Sequence, residues 1–335
     1  MHKVITFWFT IFCLFLAGCQ GGWKSGPNIR KVKLDIKVEH FEKDLFSLDS
    51  SNLSGGLRSL KQKYGQFYDA FIYNIAAFSM EDEDVLQGQV LSFIQSNRSL
   101  YQQLEDYIPH LNSSLKEIEN ALKRAKVYFA DMPIPSKIIT YLGPLDGFGA
   151  FALDDSAGIA VGLQQFLGSN YPAYQTDYLQ AIFGKQRINQ FVSENIAPTA
   201  LRAWVEKVFP DKGGRRTLKE KLIEEGRKSF LLKALLPDTP DSLIFGFSPE
   251  QMEWCISNSL LIKQFFENED LYKTDSPELI VEYFSETQRS EQLPEAFPSK
   301  VASYMGFLLV KEYMNDHAKT PLSKLMNMNF WMING

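Results

Sequence analysis

The chain has 335 residues, 45% hydrophobic and 13% aromatic, with a formal net charge of −5. That composition supports a real hydrophobic core, and the acidic balance argues against nucleic acid as a partner. With 3 cysteines spread along the chain, a disulfide framework is excluded and stability must come from packing.

Lys3 precedes an apolar run from Val4 to Gly18. A bilayer-spanning helix needs about 20 residues, so this shorter run reads as a secretory signal peptide, residues 1–18. Leu16-Ala17-Gly18-Cys19 resembles the lipobox of bacterial lipoproteins. In that motif small residues admit the peptidase, and the cysteine thiol takes a diacylglyceryl group. An acylated Cys19 would be the lipid attachment and would hold the folded body at a membrane, each buried CH₂ contributing roughly 0.8 kcal/mol. Cys13 leaves with the signal, and the charge becomes −6 because that segment carries Lys3 and no acid. Gln20, with no acidic cluster after it, indicates an outer membrane lipoprotein facing the periplasm. Residues 19–30 read as a tether rich in Gly, Ser and Pro, and residues 31–335 as a single domain.

Val32, Leu34, Ile36 and Val38 alternate with polar residues, which predicts a half-buried strand over 32–38. Helical periodicity follows over Leu57–Phe78 and Glu83–Asn97. Ser114-Leu-Lys-Glu117 has the spacing of a capping box, opening a helix with Leu115, Ile118, Leu122 and Ala125 on one face. Lys137–Leu142 is rich in β-formers. Gly147–Leu163 reads as a hairpin turning near Asp154-Asp155-Ser156. Leu201, Trp204, Val205 and Val208 mark a further helix, and Thr217 and Ser248 each open a capping box. Ser299 and Thr320-Pro321 start two more helices. The fold class is α+β, mostly α-helical with a small central sheet.

After cleavage only His40, His110 and His317 remain, and no HExxH, CxxC, GxSxG or Walker loop is present. The sequence therefore names no metal and no cofactor. Gly143–Gly149 reads as a turn between strands in preference to a phosphate loop. Glu225 and Ser229 fall on the apolar stripe of Leu218, Leu222, Leu232 and Leu236, with Glu224 and Lys228 on the charged face. A carboxylate there either pairs with a basic side chain or belongs to a site. Cys255 shares a face with Met252, Ile256, Ile262 and Phe266 and reads as a small buried hydrophobe. Trp204 and Trp254 read as core. Lys212–Arg216 (KGGRR) reads as a solvated basic loop, with contact to an acidic partner or lipid headgroups as the alternative.

The lipobox, HFEKDLFSLD (40–49), GIAVGLQQFLGSNYPAY (158–174), LLPDTPDSLIFGFSPEQMEWC (235–255) and PSKVASYMGFLLVKEYM (298–314) together resemble the gliding-motility lipoprotein GldB family. The resemblance implies a membrane-anchored envelope lipoprotein tied to surface-adhesin motility. It further implies a distant similarity to gluzincin-type zinc peptidases, a degenerate zincin-like fold. In those enzymes a hairpin edge strand precedes the HExxH helix and a later helix supplies a Glu. Gly158–Leu163 would be the edge strand and Glu225-Gly226 the later motif, but residues 175–209 contain no histidine. A lone carboxylate does not hold zinc. The expectation is a non-enzymatic lipoprotein binding other envelope or motility proteins by strand addition, in a groove at Ile159, Val161 and Glu225. The alternatives are a metal-dependent hydrolase with a non-standard site and a binder of a small or lipidic ligand in an apolar cavity.

Overall fold

The computed structural model describes residues 26–79, 81–154, 157–211, 213–268, 271–286 and 288–333. The signal peptide, Cys19 and most of the expected tether lie outside them. From Gly26 onward the chain already lies against Arg124 and Pro237.

The fold is α+β and mostly helical, with one small mixed sheet. Strand β1 (Lys37–His40) leads into α1 (Phe41–Phe46), α2 (Leu53–Tyr64) and α3 (Gln66–Ala70), followed by a π-helical turn over Phe71–Ile75. Next come α4 (Glu83–Gln102), α5 (Leu104–Tyr107) and α6 (Leu111–Tyr128), then strands β2 (Lys137–Tyr141), β3 (Ala150–Ala152) and β4 (Ile159–Gly162). The second half is helical: α7 (Asp177–Ile188), α8 (Ile196–Val208), α9 (Leu218–Leu235), α10 (Asp241–Phe245), α11 (Pro249–Ser257) and α12 (Ser259–Asn268). Helices α13 (Pro277–Phe284), α14 (Val301–Asp316) and α15 (Leu322–Asn327) complete it.

The sheet order is β1-β2-β4-β3. β1 and β4 run parallel to β2, whereas β3 and β4 form the expected antiparallel hairpin. Residues 155 and 156 of its turn are outside the described set. The first strand starts at Lys37, not at Val32. Its ladder begins where the Lys37 N–H donates to the Ser136 carbonyl, 3.0 Å away. Upstream of Ser136 the neighbouring segment holds Pro133 and Pro135, which lack the N–H groups that pairing requires. Leu34 and Ile36 pack against the core without strand pairing.

The helix expected over Leu57–Phe78 is broken at Gly65, whose φ of +52° ends α2 and starts α3. The break lets Phe67 and Phe71 turn onto Phe41, at ring-centroid distances of 5.0 and 4.7 Å. All three rings are fully buried. Two expected caps are confirmed: Thr217 and Ser248 each accept from the backbone N–H three residues on, and Glu220 and Gln251 return the bond. The box at Ser114 is not a cap, because α6 begins at Leu111. Ser114 instead donates to the Ser193 carbonyl at 3.2 Å, and Glu117 accepts from the Thr239 hydroxyl at 2.6 Å. The apolar face of that helix is buried as expected. Helix α14 starts at Val301, two residues past Ser299, with Lys300 as its N-cap.

At the centre α9 crosses α14. The two helices touch at Gly226 and Gly306, where a Cβ on either would overlap the opposite backbone. Because α14, α8, α6, α10 and the C-terminal segment all pack around it, α9 is buried on nearly every side. Trp204 is buried as expected, and Trp254 packs its ring 5.2 Å from that of Phe297.

Candidate functional site

The expected groove does not form. β4 lies between β2 and β3, so Ile159 and Val161 are fully buried and have no open edge to offer. The free edge of the hairpin belongs to β3, which is also where the zincin-like expectation would have needed β4. Glu225 is on α9, partly exposed, and accepts from Lys228 at 3.2 Å.

The polarity of α9 is reversed relative to the stripe. Glu224, Arg227 and Lys228 are the buried groups and Glu225 the more exposed one. The helix tolerates this because each buried charge is partnered. Arg216 binds Glu224 at 2.9 Å, Lys221 bridges Glu224 and Asp211 at 3.2 and 2.7 Å, and Lys228 pairs with Asp211 and Glu225. Arg227 donates to the carbonyls of Leu325 and Met328 at 3.3 and 2.7 Å. Its guanidinium and that of Arg216 lie 4.8 and 5.1 Å from the Phe330 ring. In the KGGRR loop Gly213, Gly214 and Arg215 are solvent-exposed as expected, Arg215 pairing with Asp275, whereas Arg216 is built into this network. Lys212 lies outside the described residues. Cys255 is fully buried with Met252, Ile262 and Phe266, but Ile256 points outward.

A different constellation has the makings of a site. Parallel pairing sets His40 opposite Thr140, a hundred positions apart in sequence. The Thr140 hydroxyl donates to Glu42 Oε2 at 2.8 Å, and His40 Nδ1 lies 3.1 Å from Glu42 Oε1 and 2.9 Å from Thr140 Oγ1. Glu42 and Thr140 are 2% and 0% exposed, whereas 28% of the His40 side chain faces solvent. The network is satisfied with the proton on Nδ1, which leaves the Nε2 lone pair for a ligand. His40 and Glu42 open onto a cleft of about 690 Å³ between α1 and the α4–α6 corner. Leu104 and Ile108 give it apolar walls, and Glu105 and Asp106 stand exposed at its side. This lining is too polar for an apolar cavity that would take a lipid-like ligand. Sequence spacing alone could not find this trio. Only the fragment HFEKD, in which His40 and Glu42 stand two apart where a strand becomes a helix, signalled it.

Among the described residues no three His, Cys, Asp or Glu groups converge as a metal site, and no described helix is long and apolar enough to cross a membrane. A family model described as the gliding motility protein GldB matches residues 22–333. The chain belongs to the GldB family. No curated protein and no solved structure matches it. Within this GldB-family chain the match takes in the whole sheet, the His40 cleft and the crossing of α9 with α14.

Proposed function

We propose that the protein is a membrane-anchored envelope lipoprotein that serves gliding motility by binding a partner protein, without catalysing a reaction. Membership of the GldB family supports the motility role. The lipobox at Leu16–Cys19 supports anchoring through acylated Cys19, and Gln20 with no acidic cluster after it supports the outer membrane, facing the periplasm. The observation that carries partner binding is the cleft of about 690 Å³ beside His40. Its apolar walls suit an amphipathic segment, and Glu105 and Asp106 suit basic residues on that segment.

Placing a photo-crosslinking residue at Asn112, on the cleft wall, tests this in intact cells. The expected result is one discrete crosslinked protein, lost when Glu105 and Asp106 are both changed to Lys. A uniform smear, or a product indifferent to those charges, would refute it. Metabolic labelling with palmitate, lost in Cys19→Ala, checks the anchor separately.

One observation favours a second reading, a hydrolase with a non-standard site. His40 is oriented by a buried carboxylate, as a general base or metal ligand is. Stoichiometric metal in the purified protein, absent from His40→Ala, would establish that reading in place of the first.

A further inference from the structure

A second cleft, remote in sequence from His40, is bounded by α7, α8, α10 and the start of α14. Its inner end is a cavity of about 60 Å³ lined by Arg187, Arg202 and Lys300. Gln190, Leu243 and Gly246 continue from this cavity into an outer cleft of about 490 Å³, which also takes in Lys185 and Ser248 at the N-terminus of α11. The lining of the two contains four cationic side chains and not one carboxylate, in a chain whose net charge is −5.

Two carboxylates stand behind this lining: Glu206 on α8 interacts with Arg202, and Glu286 with Lys300 and Arg187. Glu286 accepts from Lys300 at 2.8 Å. Arg202 donates to the Ile244 carbonyl at 2.6 Å, and the Arg187 guanidinium lies 6.0 Å from the Phe191 ring centroid. Among the described residues neither guanidinium has a carboxylate within ion-pair distance. Burial, and then the two neighbouring guanidinium groups, hold the Lys300 ammonium below the usual lysine range against the pull of Glu286. Lys300 also has a φ of +64°, a left-handed conformation that a lysine rarely adopts. Strain and crowded like charge persist where something else benefits from them. Arg in a fork and Lys as a point charge are the usual partners of tetrahedral oxyanions.

We propose that this inner cavity binds the phosphate of a phosphorylated small molecule or lipid headgroup, with Arg187, Arg202 and Lys300 as its ligands and the outer cleft holding the remainder. Leu243, Phe247 and Pro249 give that outer part an apolar wall and Ser242 a hydroxyl.

Titration calorimetry on the full-length protein in neutral detergent tests the assignment, with inorganic phosphate and glycerophosphoglycerol as probes. Saturable binding of either is expected, weakening at least about tenfold in Arg187→Gln and in Lys300→Gly. Glycine suits the left-handed backbone at position 300, so Lys300→Gly relieves the backbone strain there while removing the lysine side chain with its ammonium. Phosphate binding as tightly as the diester identifies a free phosphate as the source, and tighter diester binding identifies a headgroup. Absence of saturable binding for both probes, or affinity unchanged in Lys300→Gly, overturns the proposal.

Discussion

Gly226 on α9 and Gly306 on α14 meet backbone to backbone, and neither has room for a methyl group. Gly306→Ala would drive a Cβ into the Leu222 carbonyl of the facing helix, and no side-chain rotation can relieve that overlap. Overpacking at rigid backbone is the severe end of its class, so a loss of about 3 kcal/mol is expected. The urea midpoint should fall sharply for Gly306→Ala and for Gly226→Ala. Gly88→Ala, in the middle of α4 with nothing around its Cβ position, should be neutral or slightly stabilising.

Arg227 ties the C-terminal segment to the central helix through two carbonyls and the Phe330 ring. Arg227→Met removes charge-assisted bonds and orphans both acceptors, for an expected loss of about 2 kcal/mol. Tryptic cleavage after Lys324 should accelerate in the variant. Arg227→Lys should rescue it only in part, because both bonds leave one nitrogen, Nη1, which an ammonium can imitate, whereas an ammonium has no planar face to lie over the Phe330 ring.

Asp211 gives the protein a specific acid sensitivity. Burial opposes its ionisation, but hydrogen bonds from Lys221 and Lys228 prevail and bring the carboxyl down to about 2 from an ordinary 3.8. A carboxyl depressed in the fold stabilises fully above its unfolded value and loses that contribution as the pH falls through its folded value. Wild type should therefore be more stable than Asp211→Asn at about pH 5, and the gap should close as the pH approaches about 2. A gap that persists at the acid end would show that the side chain acts by packing and not by charge.

Burial pushes the Cys255 thiol up to about 12. A thiol so protonated and enclosed is a poor nucleophile. Alkylation with iodoacetamide at about pH 8, mapped to Cys255 by mass spectrometry, should be negligible in the folded protein and rapid in urea. Fast modification of the native state would mean that the α11–α12 region opens without global unfolding.

Signals confined to one turn of chain are legible in the sequence itself. The boxes at Thr217 and Ser248 need only residues three apart, and both cap helices. The hairpin from Ala150 to Gly162 and the buried face of α6 follow from local periodicity in the same way. Serine and glutamate at 114 and 117 have identical spacing, yet they tie α6 to Ser193 and Thr239, since a helix that has already begun has no use for a cap. On α9 the stripe misled because amphipathic reasoning assumes one wet face, and this helix has almost none.

Composition and local pattern thus determined the class of the fold, most of its helices and the hairpin, because those depend on propensity and spacing within a few residues. Tertiary structure alone decided that β4 is interior, that Glu224 and Lys228 are buried while Glu225 is not, and that His40, Glu42 and Thr140 share one network. The reason is the same in each case: strand order, helix enclosure and parallel register are set by contacts between segments far apart in the chain, and no window along the sequence contains both partners.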